Sequence, residues 1–179
     1  LLTLVGVIDA DLGLQGSDLR AAEHTFQLMR QVAGRAGRAA KAGAAYLQTY
    51  QPEHPVIRAI LAGDEDGFWQ AEASARQAAG VPPFGRLAGI IISASNVEQA
   101  FDLGNHLARN DGPLRQINAQ VFGPAPAPIA RVRGRYRVRM LIKADKTAPL
   151  QRAISQWVSN VTLKGDLRLV IDIDPQSFF

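Results

Sequence analysis

The segment Val81-Pro82-Pro83-Phe84-Gly85 constrains the fold of this chain more than any other. Two consecutive prolines cannot continue a helix or the interior of a strand, so regular structure must stop there. The 179 residues are long enough for one generous domain or two small ones. We therefore predict two domains, residues 1–80 and residues 81–179.

Residues 1–80 alternate between strand and helix patterns. The apolar run Leu1–Ile8 predicts a buried strand of a parallel sheet, and Ala44–Tyr50 predicts a second strand. Between them, apolar residues recur at steps of three and four, which is one face of a helix: Leu19, Ala22, Phe26, Met29 and Ala33. Val56–Leu61 and Glu65–Ala79 predict two further helices. This order predicts an α/β domain.

Residues 81–179 carry four strand patterns and two helix patterns. The strands are predicted at Leu87–Ser93, Gln120–Gly123, Arg135–Lys143 and Leu167–Ile173. The helices are predicted at Val97–Ala108 and Pro149–Val158. The order β-α-β-β-α-β predicts an α+β ferredoxin-like domain. Pro124–Gly134 is rich in proline and arginine, so we predict an exposed connection there.

Composition excludes several classes of protein. No apolar run approaches the roughly 20 residues that span a bilayer, and the chain contains no cysteine for disulfides or thiolate zinc sites. His24, His54 and His106 show no metal-ligand spacing. The chain begins Leu-Leu-Thr, without a methionine, and we expect it to be part of a longer protein. A cytoplasmic, metal-free segment is the default expectation.

The positive charge lies in the second half of the chain. Residues up to Ala79 include seven lysines and arginines against nine aspartates and glutamates, whereas the residues from Gly80 onward include thirteen against seven. This asymmetry predicts an anionic partner for the second half.

A glycine-spaced arginine pair ends the first predicted helix, in the octet Gln31-Val-Ala-Gly34-Arg35-Ala-Gly-Arg38. Guanidinium groups neutralise phosphoryl groups through planar bidentate contacts, and small neighbours allow close approach. The alternative is a pair of solvated arginines near the negative pole of a helix dipole.

Five arginines stand at every other position: Arg131, Arg133, Arg135, Arg137 and Arg139. On a strand, the last three share one face at intervals of about 6.8 Å, a spacing suited to phosphates along a nucleic-acid strand. The first two arginines precede Gly134 in a flexible part of the chain and could fold down onto the backbone of the nucleic acid. Tyr136 falls on the opposite face of the strand. The alternative is a solvated sheet face paired with Asp145, Asp172 or Asp174.

Arg152 and Gln156 are i, i+4 neighbours on the last predicted helix. A cation, an amide and nearby apolar surface suit a peptide that ends in a carboxylate. The alternative is an ordinary exposed polar face.

These motifs resemble a known family. The octet resembles the sixth motif of superfamily 2 helicases, Gln-x-x-Gly-Arg-x-Gly-Arg, and Val5–Leu14 resembles their fifth motif. More narrowly, the chain resembles the PriA family of replication-restart helicases, also called primosomal protein N′. The resemblance rests on Val5–Leu14, Asp18–Glu23, Thr25–Leu28, the octet, Val81–Arg86, Phe122–Pro128, Arg133–Arg137 and Asp172–Gln176.

The resemblance implies a bacterial, cytoplasmic, nucleoid-associated protein with ATP-driven 3′-to-5′ DNA unwinding at abandoned forks and recruitment of primosome proteins. Residues 1–80 would then be the end of a RecA-like motor lobe and residues 81–179 a DNA- and protein-binding domain. Gln31, Gly34, Arg35 and Arg38 would face the ATP phosphates, with the two arginines catalytic. Asp11 and Gly13 would lie in the loop coupling nucleotide to DNA, although Gln15-Gly16-Ser17 departs from the expected pattern.

The same resemblance implies cofactors and partners. ATP and Mg²⁺ would serve the full-length protein, and zinc would bind upstream of this chain. Branched and single-stranded DNA would be ligands, and the tail of single-stranded-DNA-binding protein would dock near Arg152 and Gln156. No membrane association is implied.

The chain has no Gly-x-x-x-x-Gly-Lys-Ser/Thr loop to cradle phosphates. We therefore expect no ATP hydrolysis by this chain alone. Two alternatives to a helicase part remain at this stage: a stand-alone ferredoxin-like nucleic-acid-binding module, and a protein-interaction platform whose arginines serve an acidic partner.

Overall fold

A computed structural model describes residues 3–15, 18–35 and 43–176 of the chain. The chain divides into two compact units, Leu1–Ser74 and Ala75–Phe179. The division falls within one helix, α3 (Glu65–Ala79). Gly80, with φ of +60°, ends this helix in the left-handed conformation that glycine adopts at little cost.

The first unit contains two parallel strands at the predicted places, but the prediction that the first of them is buried is wrong, because Leu4 is 62% exposed. β1 (Leu4–Val7) pairs in parallel with β2 (Ala44–Leu47), and Leu4 lies opposite Ala44. A short 3₁₀ helix at Leu12–Leu14 precedes α1 (Ala21–Ala33). The strands are shorter than the apolar runs that predicted them.

Aromatic packing joins the helices of the first unit. The rings of Phe26 on α1 and Phe68 on α3 stack at 4.0 Å between centroids, with Trp69 edge-on to both. The remaining helix, α2 (Pro55–Ala62), contributes buried Val56 and Ile57. The predicted helical face of α1 is confirmed, because Phe26 and Met29 are buried.

The second unit is an α+β domain with the predicted element order. Its strands are β3 (Gly85–Ala94), β4 (Gln120–Val132), β5 (Arg135–Asp145) and β6 (Arg168–Ile173). Its helices are α4 (Val97–Arg109), α5 (Gly112–Arg115) and α6 (Leu150–Val158), of which the short α5 was not predicted. The strands lie in the order β4-β5-β3-β6, and every neighbouring pair is antiparallel.

One face of this sheet forms the core. Alternate residues of the two central strands are buried: Ala88, Ile90 and Ile92 on β3, and Val138, Met140 and Ile142 on β5. They pack with Leu107 of α4 and with Leu150, Ile154 and Trp157 of α6. The intervening residues of each strand point to the other side, which we call the free face.

The prediction of a connection at Pro124–Gly134 is wrong, because β4 runs through most of this segment. Proline has no N–H for the ladder and is therefore tolerated at a sheet edge, which is where β4 lies. The pairing with β5 shifts register between Phe122 and Ala125, and again between Pro126 and Arg131. Arg133 and Gly134 then turn the chain with φ values of +48° and +78°, as a two-residue type I′ hairpin requires.

Asp174 ties the two ends of the second unit together. Its Oδ2 accepts hydrogen bonds from Arg86 Nε (3.1 Å) and Nη2 (2.7 Å), and its Oδ1 accepts one from the Leu87 N–H (3.1 Å). Arg86 Nη1 also donates to Gln151 Oε1 at 2.8 Å. The Asp174 carboxylate therefore holds the start of β3 to the segment after β6, and Arg86 extends this link to the start of α6.

Candidate nucleic-acid interface

The free face carries arginines on two strands. Arg137 lies directly opposite Ser93, and Ser93 lies opposite Arg168 of β6. Arg139 lies opposite Ile91 in the neighbouring row. Residues directly opposite in an antiparallel pair share a face, so these three guanidinium groups lie on one side of the sheet, away from α4 and α6.

Arg135 is half-buried, and its guanidinium is bound by neighbouring groups of the protein. Its Nη1 donates to Asp166 Oδ2 at 2.9 Å, and its Nη2 donates to the Ser93 carbonyl at 2.8 Å and to the Asp166 carbonyl. Asp166 Oδ2 also accepts the Ser95 N–H at 2.8 Å. Hydrogen bonding from Ser95 first, and the nearby Arg135 charge after it, lower the pKa of Asp166. Arg135 thus joins β3, β5 and the loop before β6.

The five alternating arginines do not form one row, because the turn at Arg133–Gly134 reverses the chain. Arg131 lies on β4 opposite Tyr136, and its guanidinium stands over the tyrosine ring, 5.0 Å from the centroid. Tyr136 pairs with buried Ala94, so both side chains lie on the helix side of the sheet, as predicted for the tyrosine. Arg133 is exposed in the turn itself.

Apolar side chains accompany the arginines on the free face. Phe122 lies opposite Leu141 and is 48% exposed, and Val170 lies opposite Ile91 and is 59% exposed. Sequence reasoning did not select Arg168 or Phe122. The alternation of Arg168, Val170 and Asp172 along the last predicted strand was the signal that would have found the arginine.

A cleft of about 420 Å³ opens on the helix side, between the ends of α4 and α6 and the short α5. Its basic lining residues are His106, Arg109 and Arg115, and Trp157 forms part of its apolar wall. Arg115 is paired with Asp111 at 2.7 Å. Of the two predicted peptide-binding residues, Gln156 lines this cleft, while Arg152 is exposed one turn earlier on the same helix.

In the first unit, Asp11 and Gly13 occupy tightly packed positions. The Asp11 carboxylate is 2% exposed and accepts hydrogen bonds from Thr49 Oγ1 (2.5 Å) and the Tyr50 N–H (2.7 Å). These bonds, that from Thr49 first, lower the pKa of Asp11. A Cβ on Gly13 would lie 2.5 Å from Thr25 Oγ1, so this position leaves no room for a side chain.

The arginine-pair octet is described only in part. Gln31, Gly34 and Arg35 lie at the exposed end of α1, whereas Arg38 lies outside the described residues. Gln31 and Arg35 are both exposed. Within residues 3–15, 18–35 and 43–176, no cluster of histidine or acidic residues suits a metal ion. Over the same ranges, every helix is too short or too polar to cross a membrane.

A four-stranded antiparallel sheet with helices on one side and arginines on the other defines the class of this protein: an α+β domain with a basic sheet face. Residues 77–176 match the family model of the primosomal protein N C-terminal domain. The chain belongs to this family, and the resemblance found in its motifs is confirmed.

Relatives of the chain carry the name replication restart protein PriA. The protein from Rickettsia felis is 43% identical over 178 residues, and this match covers 99% of the chain but 27% of the relative. Those from Haemophilus influenzae and Bacillus subtilis are each 34% identical, covering 98% and 97% of the chain and 24% and 22% of the relatives. The chain therefore spans about a quarter of the length of the proteins that it matches.

Proposed function

We propose that the chain is the C-terminal part of an ATP-dependent 3′–5′ DNA helicase that recognises stalled forks and initiates primosome assembly. Within that protein, the second unit would hold DNA on its free face. The observation that carries the proposal is the set of three arginines on that face, which is the side of the sheet away from α4 and α6. Replication restart is what the names of the relatives state.

The electrostatics of the free face favour a polyanion. Among the described residues, Arg137 and Arg168 have no carboxylate within ion-pair distance. Ser93 lies between them on the neighbouring strand, and because its side chain is small, no bulky group separates the two guanidinium groups. Two unpaired guanidinium groups on one row can bind successive phosphates, and such contacts carry no sequence preference. We therefore propose sequence-independent binding of branched and single-stranded DNA.

The test is the salt dependence of binding by an Arg137→Gln/Arg168→Gln double variant. Each phosphate contact contributes about 0.7 to the slope of log K against log salt for a single strand. The double variant should therefore bind a labelled oligonucleotide with a slope shallower by about 1.4, measured by fluorescence anisotropy between about 50 and 200 mM salt.

The matched control is an Arg109→Gln/Arg152→Gln variant, which removes the same charge from exposed positions on α4 and α6. Its salt slope should stay close to that of the unchanged protein. Equal slopes for both double variants would remove the free face from the DNA interface. If the Arg137→Gln/Arg168→Gln variant lost binding to an acidic polypeptide but kept DNA binding, a protein-interaction platform would be favoured instead.

The first unit would be the end of a RecA-like motor lobe in the longer protein. The parallel pairing of β1 and β2 across the intervening helix α1, whose end is exposed, supports this proposal. Arg35 and Arg38 would complete an ATP site whose phosphate loop lies outside this sequence, with Mg²⁺ bound there as well. Arginine-dependent ATP turnover by this chain alone would contradict the proposal.

A second candidate function is peptide docking at the cleft between α4 and α6. Its two arginines and the amides of Asn110, Gln156 and Asn160 surround an apolar wall that includes Trp157. These groups suit an acidic peptide ending in a carboxylate, such as the tail of a single-stranded-DNA-binding protein. Arg152, one turn before Gln156, would extend this surface along α6.

A further inference from the structure

The free face changes character from one end of the strands to the other. Four rows of residues cross this face, about 6.8 Å apart along the strands. The first row consists of Arg168, Ser93 and Arg137. The second row consists of Val170, Ile91, Arg139 and Ala125, and the third of Asp172, Gly89, Leu141 and Phe122. The fourth row consists of Leu87, Lys143 and Gln120, and its Leu87 is buried. Across the first three rows, arginine charge gives way to an apolar surface with the Phe122 ring on the edge strand. Lys143, in the fourth row, donates a hydrogen bond to the Ala79 carbonyl at 3.2 Å.

Phe122 is placed differently from the core aromatics. It follows Val121, which packs against the core, and its own side chain falls on the opposite side of the sheet. The ring is 48% exposed beside half-buried Leu141. A large aromatic side chain held on a rigid strand, with half of its surface in solvent, can stack on a planar ligand without first becoming ordered.

We propose that the free face binds single-stranded nucleic acid with an unpaired base stacked on Phe122 and the phosphates on the first two rows. In a duplex the faces of the bases are covered by their neighbours, so only an unpaired base can lie flat on a ring. Arg139 lies diagonally one step from Phe122, within about 8 Å, which suits the phosphate attached to that base. Aromatic stacking beside a basic track is how proteins hold single strands without reading their sequence.

Asp172 determines on which side of the free face the nucleic-acid backbone lies and on which side the bases lie. It occupies the β6 end of the same row as Phe122. Its carboxylate repels phosphate there, so the backbone runs over the arginine rows and the bases point toward the apolar row. Charge complementarity also favours nucleic acid over an apolar protein segment, because three arginines border the apolar patch.

This inference rests on the proposed function and adds the base contact to it. The test compares Phe122→Ala with the unchanged chain in binding two labelled oligonucleotides of about ten nucleotides. One is oligothymidylate, and the other has the same backbone without bases. Phe122→Ala should weaken binding of oligothymidylate about tenfold and leave binding of the abasic strand unchanged. Phe122→Trp should restore the affinity.

Ile129→Ala provides the matched control, because Ile129 is a similarly exposed apolar residue (54%) on the same strand, outside the paired register. It should bind both oligonucleotides as the unchanged chain does. Equal weakening of both oligonucleotides by Phe122→Ala, or no weakening of either, would overturn the stacking site. If the arginine double variant still shows its shallower salt slope, the proposed function survives that result; if it does not, both fail.

Discussion

The Asp174 carboxylate provides the sharpest test of the packing described above. In Asp174→Ala, the N–H of buried Leu87 loses its acceptor, which costs about 1–3 kcal/mol. The ion pair with Arg86 adds at most about 1 kcal/mol, because the Asp174 side chain is 40% exposed and solvent screens it. Asp174 also has φ of +51°, a conformation that alanine adopts at a cost of about 1 kcal/mol.

Together these effects predict that Asp174→Ala lowers the free energy of unfolding of the second unit by about 3 kcal/mol. For a unit of this size, that corresponds to a fall in Tm of about 12 °C. Asp174→Asn keeps one acceptor oxygen and a residue type that tolerates positive φ, so it should cost only about 1 kcal/mol.

Urea unfolding followed by Trp157 fluorescence measures this difference. The chain contains two tryptophans, and replacing Trp69 by phenylalanine confines the signal to the core of the second unit. Asp172→Ala is the control, because Asp172 is an exposed carboxylate on the same segment, and it should change stability by less than about 0.5 kcal/mol. Equal stability of the two alanine variants would refute the reasoning.

Two further predictions concern Asp166 and the helix-side cleft. The lowered pKa of Asp166 means that its contribution to stability is present above the ordinary carboxyl pKa of 3.8 and is lost as pH falls through the folded-state value. Asp166→Asn should therefore have a lower urea midpoint of unfolding than the unchanged chain at neutral pH, and the difference between the two midpoints should disappear below pH 3.8. A difference in midpoint that does not change with pH would contradict this. At the cleft, Gln156→Ala and Arg152→Ala should each weaken binding of an acidic peptide with a free C-terminal carboxylate by about three- to tenfold, measured by calorimetry. Equal binding of the amidated peptide would show that the carboxylate is not recognised.

Local patterns predicted most of the fold because they report on burial. The alternation on β5 placed Arg137 and Arg139 on one face and Tyr136 on the opposite face, and the structure confirms this division. The helix periodicity of α1 likewise identified its buried residues. These features depend only on neighbours along the chain, which a sequence displays directly.

The errors and omissions concern relations between distant residues. Proline was taken as a signal for a connection at Pro124–Gly134, since the sequence does not show which strand lies at the edge of a sheet. Arg135 was grouped with the other arginines because its partner, Asp166, stands 31 residues away. Arg168 acquires its place beside Arg137 only when β3 lies between β5 and β6.

The prolines of β4 also determine where the sheet stops growing. Pro124, Pro126 and Pro128 remove three N–H donors from the outermost strand, and the two register shifts bend its ladder away from a straight template. An extended segment of another molecule therefore finds no continuous set of backbone donors along this border. This border therefore resists joining a neighbouring copy of the chain strand to strand, even where copies are crowded together.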